Sequence, residues 1–265
     1  MRCVEGLFAG LALALLAANA GAAGTACSAT TGAGTNVLVE LFTSEGCSSC
    51  PPADRWLSAL GRRAGGTAGV VPIAWHVDYW DYIGWKDRFA QAAFSERQRR
   101  LARVRRDRFV YTPQVLVQGA DARAWARGNF DTLARRVQAR PARARISLSV
   151  LGRSGSGVDV EARAELIDAA ARPAPDEYVL VLAATASGFS TQVRTGENAG
   201  RMLEHDHVAF GSHGPVAFGR DGTLALRERL ALPSSHGGSA AVVAFVQSAR
   251  TAEVLQALSL PVCPE

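Results

Sequence analysis

The sequence predicts an α/β domain followed by an all-β, antiparallel, sandwich-like domain. Three features carry that reading. From Asn36 to about Arg140, short apolar runs alternate with helix-like segments, the order of a parallel or mixed sheet with crossover helices. Beyond Arg143 the apolar period falls to two, clearest at Val158, Val160, Ala162, Ala164 and Leu166, with Ile146, Leu148 and Val150 doing the same. Gly, Pro and Ser clusters then separate several short strands over about 120 residues, as in a sandwich. The expected boundaries are a signal peptide at 1–26, the α/β domain at 27–143 and the β domain at 144–265.

The N-terminus reads as an export signal: Arg2, an apolar stretch from Leu7 to Ala18, and the small-residue sequence Ala18-Asn19-Ala20. That stretch is too short for a stable membrane span, and no second candidate occurs, so no transmembrane segment is expected. The location implied is periplasmic or secreted. A lipoprotein acylated at Cys27 after Gly24-Thr25-Ala26 is the lesser alternative, because the usual bulky apolar position is missing.

Export changes how the cysteines are read, since disulfides persist outside the cytosol. Cys3 leaves with the signal, and Cys27, Cys47, Cys50 and Cys263 remain, a set that allows three pairings. Cys47 and Cys50 are close neighbours while Cys27 and Cys263 lie at opposite ends of the mature chain. One local redox pair and one terminal, structural staple are therefore expected, the staple contributing at most roughly 5 kcal/mol through chain entropy.

Within the first half, Val37 to Phe42 reads as a buried strand ending at Thr43-Ser44-Glu45-Gly46, with the cysteine pair directly after it. Pro51-Pro52-Ala53-Asp54 then opens a helix through Trp56, Leu57 and Leu60, ended by Gly65-Gly66. Val70 to Val77 is the next strand. An aromatic insertion from Asp78 to Trp85 precedes an arginine-rich helix from about Asp87 to Arg106. Thr112-Pro113, a strand at Gln114 to Val117, a turn at Gly119 and a helix from about Phe130 to Ala139 complete the half. In the second half, continuous apolar strands appear at Tyr178 to Ala184 and Ala240 to Val246.

A strand, a tight turn, Cys47-Ser48-Ser49-Cys50 and then a helix place the first cysteine at a helix N-terminus. Unpaired backbone N–H groups and the helix dipole favour a thiolate there. Cys47 is thus the candidate attacking thiol and Cys50 the resolving one, with Glu45 opposing this electrostatically if it points inward. Together with Tyr111-Thr112-Pro113-Gln114-Val115-Leu116-Val117, these elements resemble the thioredoxin superfamily, so the first domain is expected to be thioredoxin-like. The resemblance implies a cis Thr112–Pro113 bond facing the cysteine loop, with Thr112 and Pro113 positioning a bound peptide or disulfide partner.

A closer resemblance, covering nearly the whole mature chain, is to the exported domain-of-unknown-function family 1223. It rests on Val39 to Asp54, on His76-Val77-Asp78-Tyr79-Trp80-Asp81-Tyr82 and on Gly196-Glu197-Asn198-Ala199-Gly200-Arg201. The chain departs from classical thioredoxins in lacking a Trp before Cys47 and in placing Ser48-Ser49 between the cysteines. Such intervening residues influence reduction potential, so the direction of electron flow stays open.

Other candidates divide between chemistry and architecture. His76, Asp78 and Trp80 follow a strand whose end should lie beside the cysteine pair, where they would line a peptide groove or tune a thiol; packing beneath a loop is the plain alternative. Two thiolates with His76 would also suit Cu(I) or Zn. His205 and His207, two apart, are expected to share one face of a surface strand, with His213 and His236 elsewhere. Gly196 to Gly200 reads as a hairpin loop, since it lacks the ending of a phosphate loop. The formal charge of +5 is arginine-based, and the crowded stretch Arg97 to Arg108 reads as solvated helix surface. No nucleic-acid partner is expected of an exported chain. No nucleophile elbow, zinc-protease signature or dinucleotide fingerprint occurs, so no cofactor is expected. The function expected is thiol–disulfide exchange through Cys47 and Cys50 with an extracytoplasmic protein or a small disulfide or thiol. The alternatives are a copper chaperone using Cys47, Cys50 and His76, and a non-catalytic binding module with a structural disulfide.

Overall fold

Seven consecutive buried residues, Val37–Thr43, form a strand covered on both faces, and the rest of the molecule is arranged around it. The computed structural model describes residues 27–62, 69–128, 130–167, 174, 177–234 and 238–263. The signal segment, the lipoprotein residues Gly24 to Ala26, the helix end at Gly65-Gly66 and His236 lie outside them. In chain order the elements are β1 (Ser28–Thr30), β2 (Val37–Thr43), α1 (Pro51–Arg62), β3 (Val70–His76), α2 (Ala92–Arg105), β4 (Gln114–Val117), β5 (Ala120–Asp121) and α3 (Phe130–Gln138). There follow β6 (Ala144–Ser154), β7 (Gly157–Leu166), β8 (Tyr178–Ala186), β9 (Phe189–Gln192), β10 (Met202–His205), β11 (Val208–Ala217), β12 (Thr223–Ala231), β13 (Ala240–Ser248) and β14 (Val254–Pro261).

The expectation of an α/β thioredoxin-like domain joined to a separate sandwich is corrected here. Among the described residues 45% are strand and 17% helix, so the protein is mostly β. Its main sheet has eight strands in the order β14-β13-β8-β11-β3-β2-β4-β5, drawing from both halves of the chain. The junction is a parallel pairing of β11 with β3, Val208 opposite Ala74, reinforced by the Ala74 N–H donating to the His207 carbonyl at 2.8 Å. Such a contact spans more than half the chain and leaves no local pattern.

Both faces of this sheet are covered. Alternation along β2 sends Leu38 and Phe42 to one side and Val37, Val39 and Leu41 to the other. The first side packs under α2 through Phe94 and Leu101, and continues across Val181, Ala183, Val243 and Phe245 of the second half. The second side is shared. Over β2 to β4 it is covered by Ala53, Leu57 and Leu60 of α1 and Ala134 and Val137 of α3. Over β8, β13 and β14 it meets the antiparallel sheet β1-β6-β7-β12, whose Ile146, Leu148, Val158 and Val160 close the core. Each such Leu contributes about 1.5–3 kcal/mol relative to an exposed one.

Two expectations about arginines and helix limits also change. The helix starts at Ala92 rather than Asp87, which frees Asp87 for the site described below. Arg97 is not on a solvated face: it is 5% exposed and reaches Glu40, in the middle of β2, at 2.8 Å through Nε and 2.5 Å through Nη2. Trp75 Nε1 donates to the same carboxylate oxygen at 3.0 Å, and the guanidinium lies over the Trp75 and Phe245 rings. Phe94, Arg97 and Leu101 share one helical stripe, so the charge is carried inward by the register of its neighbours.

Cys27 and Cys263 are bonded, with Cα atoms 5.9 Å apart. The bond joins β1, at the edge of the four-stranded sheet, to the region just after β14, at the edge of the eight-stranded one. Two disulfides accord with an oxidising compartment. No helix among the described residues is long and apolar enough to cross a membrane.

Candidate functional site

β2 ends at Thr43, and Ser44 to Gly46 turn the chain so that the Cys47 N–H donates to the Ser44 carbonyl at 3.2 Å. Pro51 and Pro52 follow Cys50 at once. Having no N–H to leave unpaired, they suit the first turn of a helix, and α1 begins there. The Cys50 carbonyl accepts from the N–H groups of Ala53 and Asp54 at 2.8 and 3.1 Å. Cys47 and Cys50 are joined in a disulfide on this helix start. Both are fully buried, although Ser48 and Ser49 between them are exposed.

Gly46 explains how the aromatic insertion reaches the pair. A Cβ there would stand 3.2 Å from the Trp80 Cβ and 3.5 Å from Ile83, so only glycine admits this approach without displacement. Trp80 Nε1 in turn donates to the Thr112 hydroxyl at 2.7 Å, and the Thr112–Pro113 peptide is cis. Trp80, Thr112 and Pro113 are thereby linked to the cysteine loop. Asp78 is held elsewhere: the Ser95 hydroxyl of α2 donates to its carboxylate at 2.5 Å and accepts from its N–H at 3.1 Å.

Glu45 points inward and is buried. Trp85 Nε1 donates to its Oε2 at 2.8 Å, and its backbone N–H donates to Asp87 Oδ2 at 2.9 Å. The same Asp87 oxygen lies 2.7 Å from His76 Nδ1. His205, at the end of β10, stacks edge-on against His76 with centroids 5.1 Å apart, and Phe89 packs on both rings. His205 Nε2 lies 3.2 Å from Glu45 Oε1 without hydrogen-bond alignment, and among the described residues that oxygen, both His205 nitrogens and His76 Nε2 have no hydrogen-bond partner. The expected surface strand carrying His205 and His207 on one face is therefore wrong. His205 is 3% exposed, and His207 turns away in the left-handed region at φ 57° to pack against Gly61.

Burial disfavours the His76 imidazolium, but the carboxylates of Asp87, Asp54 and Glu45 outweigh it, and the pKa is raised. Burial likewise opposes the Asp87 carboxylate, yet His76 and the N–H groups of Glu45 and Phe89 hold its pKa below the usual value. Asp54, one turn into α1, goes the other way: burial raises its pKa, only partly offset by His205 and His76. The signs dictate a stability profile. The His76 contribution is present in full below its ordinary 6.5 and is lost as pH rises through the elevated folded value. The Asp87 contribution is present above 3.8 and is lost as pH falls through the depressed one. Urea unfolding across this range should show stability falling on the alkaline side above 6.5, and His76→Gln should flatten that limb. An unchanged limb in the variant would assign it to other groups.

A hairpin from the second half closes over the pair. The loop between β9 and β10 brings the Glu197 carboxylate to the Ser48 N–H at 3.0 Å, and the Asn198 amide donates to the carbonyls of Glu45 and Cys47 at 2.8 and 3.0 Å. The sequence reads this segment as a hairpin loop and as part of a family resemblance, and the pairing of β9 with β10 makes it the hairpin's tip, but nothing in it points to the cysteines. Sequence reasoning misses Asp87 and His205 as site groups because no local pattern pairs them with the cysteines, and it reads Asp54 only as part of the helix start. The soft-metal alternative of Cys47, Cys50 and His76 is not assembled in this conformation: the two cysteines are joined to each other, and among the described residues no three His, Cys, Asp or Glu are grouped to hold an ion.

Comparison with known proteins agrees with the span of this architecture. The family model described as "Protein of unknown function (DUF1223)" matches residues 38–247. A crystal structure of a structural-genomics protein from Agrobacterium tumefaciens is similar at 26% identity with a TM-score of 0.54, covering 87% of this chain and 96% of that one. HBP35 of Porphyromonas gingivalis is similar in fold at 15% identity with a TM-score of 0.63, covering 88% of this chain and 79% of that one. No curated protein matches.

Proposed function

From the premise that the chain belongs to the DUF1223 family of unknown function, we propose that it carries out thiol–disulfide exchange at Cys47 and Cys50, as a periplasmic or secreted protein. One observation carries this reading: a disulfide that is poorly suited to stabilising the fold sits on a helix start beside buried titratable groups. With a sequence separation of 3, Cys47–Cys50 constrains the unfolded chain by only about 2 kcal/mol, against roughly 5 for the 236-residue separation of Cys27–Cys263. Buried, imperfectly paired histidines and carboxylates cost stability, and perturbed groups gathered in one place mark functional sites more often than structural ones.

In the forward step a substrate thiolate attacks Cys47 Sγ, a new S–S bond forms, and the Cys47–Cys50 bond breaks with its electron pair leaving on Cys50. The N–H groups and dipole at the start of α1 stabilise thiolate character there. In the reverse direction the Cys47 thiolate attacks a substrate disulfide and Cys50 resolves the mixed disulfide. Thr112, Pro113 and Trp80 position the substrate chain, and the partner is an extracytoplasmic protein or a small thiol or disulfide.

The reading is tested by equilibrating the mature chain in glutathione buffers, alkylating free thiols and quantifying the Cys47–Cys50 peptide by mass spectrometry. A midpoint between about −270 and −120 mV, the span of known exchange catalysts, is expected. A midpoint below about −300 mV would mark the pair as structural and reassign the protein as a binding module.

A further inference from the structure

The segment Gly196–Arg201 bears directly on access to the disulfide. Cys47 and Cys50 have no exposed surface, so a thiol cannot reach Sγ in the conformation described. The tip of the β9–β10 hairpin lies against the loop, through Glu197 on the Ser48 N–H and Asn198 on the carbonyls of Glu45 and Cys47. Arg201 steadies Asn198 with a hydrogen bond to its Oδ1 at 2.9 Å, and the Thr195 hydroxyl donates to the Gly84 carbonyl.

The hairpin is held in two different ways. Its base is apolar: Phe189 packs on Phe89 and Phe210. Among the described residues, β9 and β10 pair only with each other, outside both larger sheets. The tip is held mainly by hydrogen bonds, each of which water can replace at small net cost. Gly196 and Gly200, at φ 76° and 82°, bracket Glu197 to Ala199 and have the backbone freedom that a pivot requires. Of the tip's contacts on the cysteine loop, one is a carboxylate on the N–H next to Cys47. Hydrogen bonding with Ser48 holds Glu197 below its usual pKa, so an anion sits on the residue next to Cys47.

We propose that residues Gly196–Arg201 form a gating strap over Cys47–Cys50, with Glu197 and Asn198 as the access-controlling residues for exchange. The inference rests on the exchange reading for its biological meaning, but its physical content is separate. The strap lies closed on the disulfide, and a thiol attacks only after it lifts. Once a thiolate forms at Cys47, it repels the Glu197 carboxylate and favours the lifted state.

The test is the rate of reduction by dithiothreitol, in which the protein disulfide gains two electrons and two protons and the dithiol becomes a cyclic disulfide. Wild type, Glu197→Gln and the double variant Glu197→Gln/Asn198→Ala are quenched by alkylation, and both disulfides are read in each sample by peptide mass spectrometry. Cys27–Cys263 is the internal reference. Loss of the strap contacts should speed Cys47–Cys50 reduction about tenfold or more in the double variant, and by less in the single one, with the reference unchanged. Rates within about twofold of wild type would overturn the strap, as would an equal acceleration of both disulfides, which reports general loosening. Should Asn198→Ala fail to fold, Glu197→Ala decides alone, since it removes the acceptor for the Ser48 N–H and its side chain is exposed. A faster Cys47–Cys50 reduction together with a midpoint in the structural range given above would keep the strap and remove the exchange function.

Discussion

Cys50→Ser should accumulate a covalent mixed disulfide at Cys47, while Cys47→Ser should not. Exchange passes through a state in which the substrate sulfur is bonded to the attacking cysteine, and the second cysteine releases it. With Ser at 50 the release step is gone, and the adduct persists. The proposed roles rest on position. Cys47 lies on the loop side, next to the exposed Ser48 and Ser49, whereas Cys50 is fastened into the first turn of α1 by its carbonyl. Serine suits a helix N-terminus, so both variants should fold. Non-reducing gels of protein recovered from the exporting cell, with the bonded peptide identified by mass spectrometry, should show about tenfold or more adduct in Cys50→Ser. Equal trapping by both variants would sink the assigned roles.

Arg97→Met should destabilise the fold by about 3–5 kcal/mol, the usual consequence of stranding a buried charge. Glu40 is wholly buried on an interior strand of the eight-stranded sheet, and its Oε1 draws on Arg97 and Trp75 while Oε2 has no hydrogen-bond partner among the described residues. Removing the guanidinium leaves the carboxylate with one indole N–H. Pairing the change with Glu40→Gln removes the charge as well, so the double variant should recover a large part of the loss. Urea midpoints at constant m-value would measure both. A single variant within about 1 kcal/mol of wild type would show that Glu40 takes up a proton or finds water instead.

The parts of this molecule that were legible in the sequence are those whose cause is local. β2 and β4 are short apolar runs bounded by turn residues, α1 is opened by two prolines, and its Ala53, Leu57 and Leu60 mark the buried face. The division into an α/β half and a sandwich failed because the joining strand, β11, pairs with β3 across a separation that no window spans. A signal against the division was present. β8 and β13 are buried along nearly their whole length rather than alternately, the mark of strands covered on both faces. Arg97 was readable from its stripe with Phe94 and Leu101, but its charge suggested solvent. At the site, Cys47 and Cys50 announce themselves, and Trp80 and Thr112 follow from their places in the chain. His205, Glu197 and Asn198 reach the cysteines only because a hairpin about 150 residues downstream folds back over them.

The bond between Cys27 and Cys263 has a consequence for how the molecule bears load. Because it links the two outer strands, the segment from 27 to 263 is topologically a closed ring. Tension applied at its two ends runs through one covalent bridge and bypasses the hydrogen-bonded ladders, which would otherwise unzip from β14 or β1 inward. A protease that cuts one exposed loop likewise produces an opened ring rather than two pieces. In proteolytic surroundings, a first cut would leave every strand still tethered to its neighbours.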